Sequence, residues 1–201
     1  MWQILKSGGW VMIPLLLCSL TTVTIVVERW LFFRRIITST HQADALLQFV
    51  KAGKIDEAME IAEVTEYPVV KVLGVGMKQR HVAVMDRVME AAGRTEIAMM
   101  KRGLPTLETI ITLSPMLGLL GTILGIMNSF RIMSIVSGEV QTGAVTGGVA
   151  EALVSTAAGI VVAVATLVPY NYFMARIEKE TGKIEQYATD LEMTLKIAPQ
   201  G

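Results

Sequence analysis

Charge is distributed along this chain in a way that leaves few folds open to it. From Ser7 to Val27 no residue is charged, and WVMIPLLLCSLTTVTIVV is long enough to cross a hydrocarbon core of about 30 Å as a helix. Thr109 to Phe130 is a second uncharged stretch, and Ala152 to Ala175 is a third, bounded on its N-terminal side by Glu151. A mean hydropathy of +0.52 over 201 residues is too high for most soluble domains of this length. The pattern predicts an all-α polytopic membrane protein with three transmembrane helices. No basic region or small-residue cleavage site accompanies the first stretch, so it reads as a retained span rather than a signal peptide.

The connections set the expected topology. About seventy residues between Arg34 and Arg102 carry far too many charges for a membrane-buried link. Basic residues near span ends cluster on that segment (Arg34, Arg35, Arg94, Lys101, Arg102) and after the third span (Arg176, Lys179, Lys183). The short connection offers Arg131 and the N-terminus Lys6. Both heavily basic sides are therefore expected in the cytoplasm. The expected layout is an outer N-terminus over 1–9, spans over 10–33, 109–130 and 148–173, a cytoplasmic helical segment over 34–108, an outer loop over 131–147, and a cytoplasmic C-terminal helix over 174–201.

Inside the long segment, ADALLQFVKAGKIDEAMEIAEVTEY has helical apolar spacing broken at Gly53, which predicts a short helical hairpin ended by Pro68. A second amphipathic run, HVAVMDRVMEAAGRTEIAMMKRG, leads toward the second span, with Pro105 near the point of entry. After the third span, Ile177, Thr181, Ile184, Ala188, Leu191, Leu195 and Ala198 share one helix side, so the third helix is expected to continue well into the cytoplasm. That seam suits packing on the chain itself and packing between subunits equally.

Several functions are disfavoured. With 18 basic and 18 acidic residues there is no electrostatic case for nucleic-acid binding. Cys18 has no disulfide partner in the chain, and with His41 and His81 it forms no metal-ligand spacing. Cys18 reads as a small apolar residue, and the two histidines as solvent-exposed. There is no nucleophile–base–acid set, and GVGMK at Gly74 to Lys78 lacks phosphate-loop spacing, so no enzyme activity, cofactor or metal is expected.

The span surfaces carry more. Ser114, Gly118, Gly121, Thr122, Gly125 and Ser129 line one face of the second span, and Gly148, Ala152, Ser155, Gly159 and Ala163 one face of the third. Lipid gives no hydrophobic drive for helix association, so such faces let backbones approach closely. A closed three-helix bundle and an oligomeric pore both satisfy that pattern. Pro115 is expected to kink the second span, with the Ser114 hydroxyl as a partner for a freed carbonyl.

Glu151 is the informative residue, because a carboxylate within the bilayer is costly and rarely present without a role. Removal from water favours its neutral form, which a proton relay requires. Ser155 lies one turn away and Thr156 slightly offset. Two other readings fit: an interfacial residue at the start of the third helix, about 37 Å from Arg176 at about 1.5 Å per residue, or a structural carboxylate between helices.

The strings SPMLGLLGTILGIMNSF and GGVAEALVSTAAGIVVAVATLVPYNYF resemble the paired span signatures of the MotA/TolQ/ExbB proton-channel family, over about Leu113 to Phe173. Three spans agree with its ExbB and TolQ branches alike, and the short chain leans toward ExbB. The resemblance implies a homopentamer in the bacterial inner membrane, with the outer segments periplasmic. The pentamer would enclose span helices of a single-span partner of the ExbD or TolR kind and drive a TonB-like or TolA-like protein. By motif, Glu151, Thr122 and Thr156 would line the proton path, with Ser155 beside them and Pro115, Gly118, Gly121, Gly125, Gly148 and Gly159 in helix packing. Small-residue faces would suit inner helices that must slip. One departure concerns the third span, where many relatives have a proline close to the position of Ala165; here it is Pro169. A TolQ-like role in envelope maintenance and a non-conducting scaffold are the alternatives.

Overall fold

The computed structural model describes residues 9–36, 40–79, 84–135 and 142–197. Among the expectations above, those on Lys6, His81 and Ala198 lie outside the described residues, as does the side chain of Glu151. All regular structure among the described residues is helical: α1 (Met12–Ile36), α2 (Thr40–Lys51), α3 (Ile55–Val64), α4 (Pro68–Lys78), α5 (Met85–Lys101), α6 (Leu104–Ile135) and α7 (Thr142–Ile197). Three of these, α1, α6 and α7, include stretches long and apolar enough to cross a membrane, so the chain is a multi-pass membrane protein. The chain divides into two compact units.

The membrane unit holds the chain up to Val27 together with Gly103–Asn171. Val11, Met12 and Leu15 form a small buried cluster against Leu117 and Ala158. Large apolar side chains point outward instead, among them Leu20, Met116, Val161 and Val168, each about two-thirds exposed (67%, 67%, 66% and 67%). Such a surface needs lipid or protein cover. Exposed threonines on α1 return their protons to their own helix, Thr21 to the Leu17 carbonyl at 2.8 Å and Thr24 to that of Leu20 at 2.9 Å. Without water to bond them, hydroxyls in hydrocarbon must be satisfied this way.

The polar unit holds Glu28–Arg102 and the chain from Tyr172 onward. The expected hairpin is present as α2 and α3. Its turn is a C-terminal cap in which Gly53 takes φ +74°, Gly53 N–H bonds the Val50 carbonyl at 3.0 Å and Lys54 N–H bonds that of Phe49 at 2.9 Å. Pro68, expected only to end the hairpin, instead opens α4: α3 has already stopped at Val64, and Tyr67 is extended at φ −72°, ψ 123°. A proline at the first helical position loses no hydrogen bond and fixes the required φ. The sequence reading missed α4, and eight of its residues, including Val69, Val70, Val72, Leu73 and Met77, are buried.

Two glycines let α4 sit that deep. A Cβ at Gly74 would lie 2.8 Å from the Ala62 methyl, and one at Gly76 would overlap Met89 Sδ and lie 3.2 Å from Leu191. The seam on α7 packs on this same unit: Ile177, Ile184 and Leu191 are buried, and Ile184 would meet a Cβ at Gly93 of α5 at 3.3 Å. These three positions are thus satisfied within one chain.

Polar groups are also buried here. Glu180, 3% exposed, accepts from Tyr67 Oη at 2.9 Å and from Lys183 Nζ at 2.9 Å. Arg29, 4% exposed, donates to the Met99 carbonyl at 3.1 Å, pairs with Glu28 at 2.7 Å and lies over the Phe32 ring. At the C-terminal end of α5 the Met99 carbonyl thus accepts twice, from this guanidinium and from Arg102 N–H at 3.3 Å, where a positive charge is favoured by the helix dipole.

Alkaline pH should loosen this unit. Burial, then the hydrogen bond to Asp44, pushes the Tyr187 phenol up to about 12. Burial alone would lower the Lys183 ammonium, but the hydrogen bond and charge of Glu180 outweigh it and the net shift is upward. Both groups hold their protons more tightly when folded, so their contribution is complete below pH 10.0 and is lost as pH rises toward 12. Thermal melts between those values should show falling stability, and Tyr187→Phe should flatten part of the fall.

Candidate functional site

Helices α6 and α7 run antiparallel with their two small-residue faces against each other. A Cβ added at Gly159 would lie 2.5 Å from the Ser114 carbonyl oxygen and 3.1 Å from Gly118 Cα. One at Gly118 would lie 3.0 Å from Thr156 Cα, and one at Gly125 would lie 3.0 Å from both the Ala152 Cβ and the Gly148 carbonyl. Cβ atoms at Gly121 and Gly148 would overlap the hydroxyls of Ser155 and Ser129. Five glycines named from the sequence therefore serve one backbone-to-backbone contact inside a single chain. The small faces are occupied there, which leaves the large apolar side chains to meet lipid or other chains.

That close approach brings hydroxyls onto one carbonyl. Thr122 Oγ1 and Thr156 Oγ1 are 2.7 Å apart, and they lie 3.2 Å and 3.1 Å from the Gly118 carbonyl oxygen. Three contacts share two hydroxyl protons, so one hydroxyl must accept while the other donates. Turning the two hydroxyl hydrogens about their Cβ–Oγ bonds reverses those roles without moving either oxygen. Both threonines are part-exposed, whereas Ser155 is buried at 1% and reaches the same oxygen only at 3.5 Å. Glu151 is helical in α7, four residues before Ser155 and five before Thr156.

Pro115 lies inside α6, as expected. The expected role for Ser114 does not hold: its hydroxyl is fully buried and has no hydrogen-bond partner. What Ser114 contributes to the close approach is its backbone, whose carbonyl oxygen is pressed against Gly159. Sequence reasoning also missed two features. One is the Gly118 carbonyl as a common acceptor, which no side-chain pattern announces. The other is a buried pair on α1 and α7, Thr22 and Thr166, 3.0 Å apart. Cys18 is half-buried and His41 is exposed.

Comparison with known proteins identifies the family. The model of the MotA/TolQ/ExbB proton channel family matches residues 51–186. A putative biopolymer transport protein, ExbB-like 3 of Synechocystis sp., is 35% identical over 190 residues, covering 89% of this chain and 90% of that protein. The Tol-Pal system protein TolQ of Pseudomonas aeruginosa is 38% identical over 116 residues, covering 56% of this chain and 50% of its own. The ExbB protein of Salmonella typhimurium is 41% identical over 105 residues, 51% of this chain and 40% of its own. Membership places the chain among non-catalytic membrane subunits rather than enzymes. The match spans two-thirds of the sequence and takes in the α6–α7 hydroxyl cluster, and the chain belongs to the MotA/TolQ/ExbB proton channel family.

Proposed function

We propose that the chain is the proton-channel subunit of an inner-membrane complex that uses the proton-motive force to drive a TonB-like protein in outer-membrane transport. Five copies would enclose the span helices of an ExbD-like partner, with the N-terminus periplasmic and the polar unit cytoplasmic. The observation that carries this reading is the Thr122–Thr156 pair on the Gly118 carbonyl, whose α7 member, Thr156, lies a little over one turn from Glu151 on the same helix. Glu151 would take up and release the proton, and the threonines would pass it along by exchanging donor and acceptor roles. Each proton that crosses delivers about 2.3 kcal/mol per 100 mV. Similarity to TolQ supports a second pathway, in which a TolR-like partner and a TolA-like protein maintain the envelope.

The test is a vesicle assay. Chain and partner are co-reconstituted, a pH gradient is imposed, and internal acidification is followed. Proton flux is expected, and Thr156→Val should reduce it about tenfold, the effect of one lost hydrogen bond of about 1.4 kcal/mol at the barrier. Absence of flux with a correctly assembled complex would leave a scaffold. Complementation of strains lacking either system then separates the two pathways.

A further inference from the structure

Away from the threonine pair on α6 and α7, a second polar feature lies in the membrane unit between α1 and α7. A cavity of about 190 Å³ is lined by Ser19, Thr22, Val26, Ala165, Thr166 and Pro169, among others. Its hydrogen bonds can be accounted for proton by proton. Thr166 Oγ1 donates to the Val162 carbonyl at 2.7 Å, so its only proton is committed. In the 3.0 Å contact between Thr22 and Thr166, Thr22 must then be the donor. That leaves the Thr22 oxygen with free lone pairs and no proton to give. Pro169 has no N–H, which removes the helical donor for the Ala165 carbonyl. Ala165 and Pro169 both line the cavity. The protons of Thr22 and Thr166 are used, which leaves the Ser19 hydroxyl as the one uncommitted side-chain donor among the lining residues.

The cavity therefore has two acceptors with lone pairs to spare against one uncommitted hydroxyl, that of Ser19, in a space many times the roughly 10–15 Å³ that one water requires. An acyl chain filling it would give neither acceptor a donor, and an unpaired carbonyl in hydrocarbon is strongly disfavoured. Water offers two donors per molecule. We propose that this cavity is an intramembrane water site, in which ordered water bridges Thr22 Oγ1 and the Ala165 carbonyl freed by Pro169. The site belongs to the α1–α7 seam and is independent of the α6–α7 threonine pair. Its consequence is a proline hinge in the third span whose backbone stays satisfied as the helix bends.

The experiment uses cysteine accessibility in membrane vesicles holding the full chain and its partner. Cys18 is first replaced by Ala, and S19C is introduced, a near-isosteric change at a half-buried position. Aminoethyl methanethiosulfonate, which reacts with thiolate in water, is the probe. S19C is expected to react at least about tenfold faster than L20C, whose side chain faces outward. Thr22→Val, which keeps the shape and removes the acceptor, should lower the S19C rate toward that of L20C. A rate for S19C no faster than for L20C, as acyl chains or a neighbouring helix in the cavity would give, overturns the proposal. A fast S19C rate that Thr22→Val leaves unmoved overturns the assignment of Thr22 as the bridging acceptor.

Discussion

Glu151→Gln is expected to lower proton-driven output by about a hundredfold or more, with abundance and assembly unchanged. Glutamine matches the carboxylate in size and still accepts and donates hydrogen bonds, so a purely structural role would survive the change. It cannot bind and release a proton in the accessible pH range, and loss of a positioned acid–base group typically removes 10²–10⁴ in rate. Glu151→Asp keeps the ionisable group one methylene short and should retain partial flux. The measurement is vesicle acidification beside quantitative blotting of the assembled complex. Wild-type flux in the glutamine variant would dismiss Glu151 as the relay, whatever its depth in the bilayer.

The second large effect is on the fold itself. Gly159→Leu should prevent the α6–α7 contact from forming and leave the protein poorly accumulated and polydisperse in detergent. The first atom added at this position already lies 2.5 Å from the Ser114 carbonyl oxygen and close to the Gly118 backbone. A backbone neighbour cannot rotate away as a flexible side chain would, so the helices must separate. Overpacking a well-filled site commonly costs about 1–3 kcal/mol, and here separation would also break the Thr122–Thr156 contact. Gly182 supplies the control. It lies in the same long helix with nothing within 4 Å of its Cβ position, so Gly182→Ala should be neutral or stabilising by up to about 1 kcal/mol. Detergent melting curves of the two variants read the contrast directly.

How much of this could be read from residues alone differs from place to place. The hairpin was legible because Gly53 interrupts an apolar period at the point where a left-handed residue is needed, and φ there is +74°. Helix α4 was not, because PVVKVLGVGMK is rich in β-branched residues and glycine, which have poor helix propensity. Burial on nearly every side stabilises it, and its glycines answer to Ala62, Met89 and Leu191 rather than to their own neighbours. The seam on α7 was visible as a period, but a period does not name its partner. Ser114 shows the opposite failure: proximity to Pro115 made its hydroxyl an obvious donor, yet in the folded chain that hydroxyl is fully buried with no acceptor in reach.

Sequence by itself determined that three helices of this chain belong in a membrane, that two of them carry small-residue faces, and that an acidic residue accompanies one such face. Those properties follow from local composition and helical period, which act within a single element. Only the tertiary structure decided that the two small faces meet each other, that Thr122 and Thr156 converge on the Gly118 carbonyl, and that Thr22 and Thr166 pair across 144 positions of chain. Each depends on the register between helices, which is set by how closely two backbones pack, and no one-dimensional pattern contains that distance.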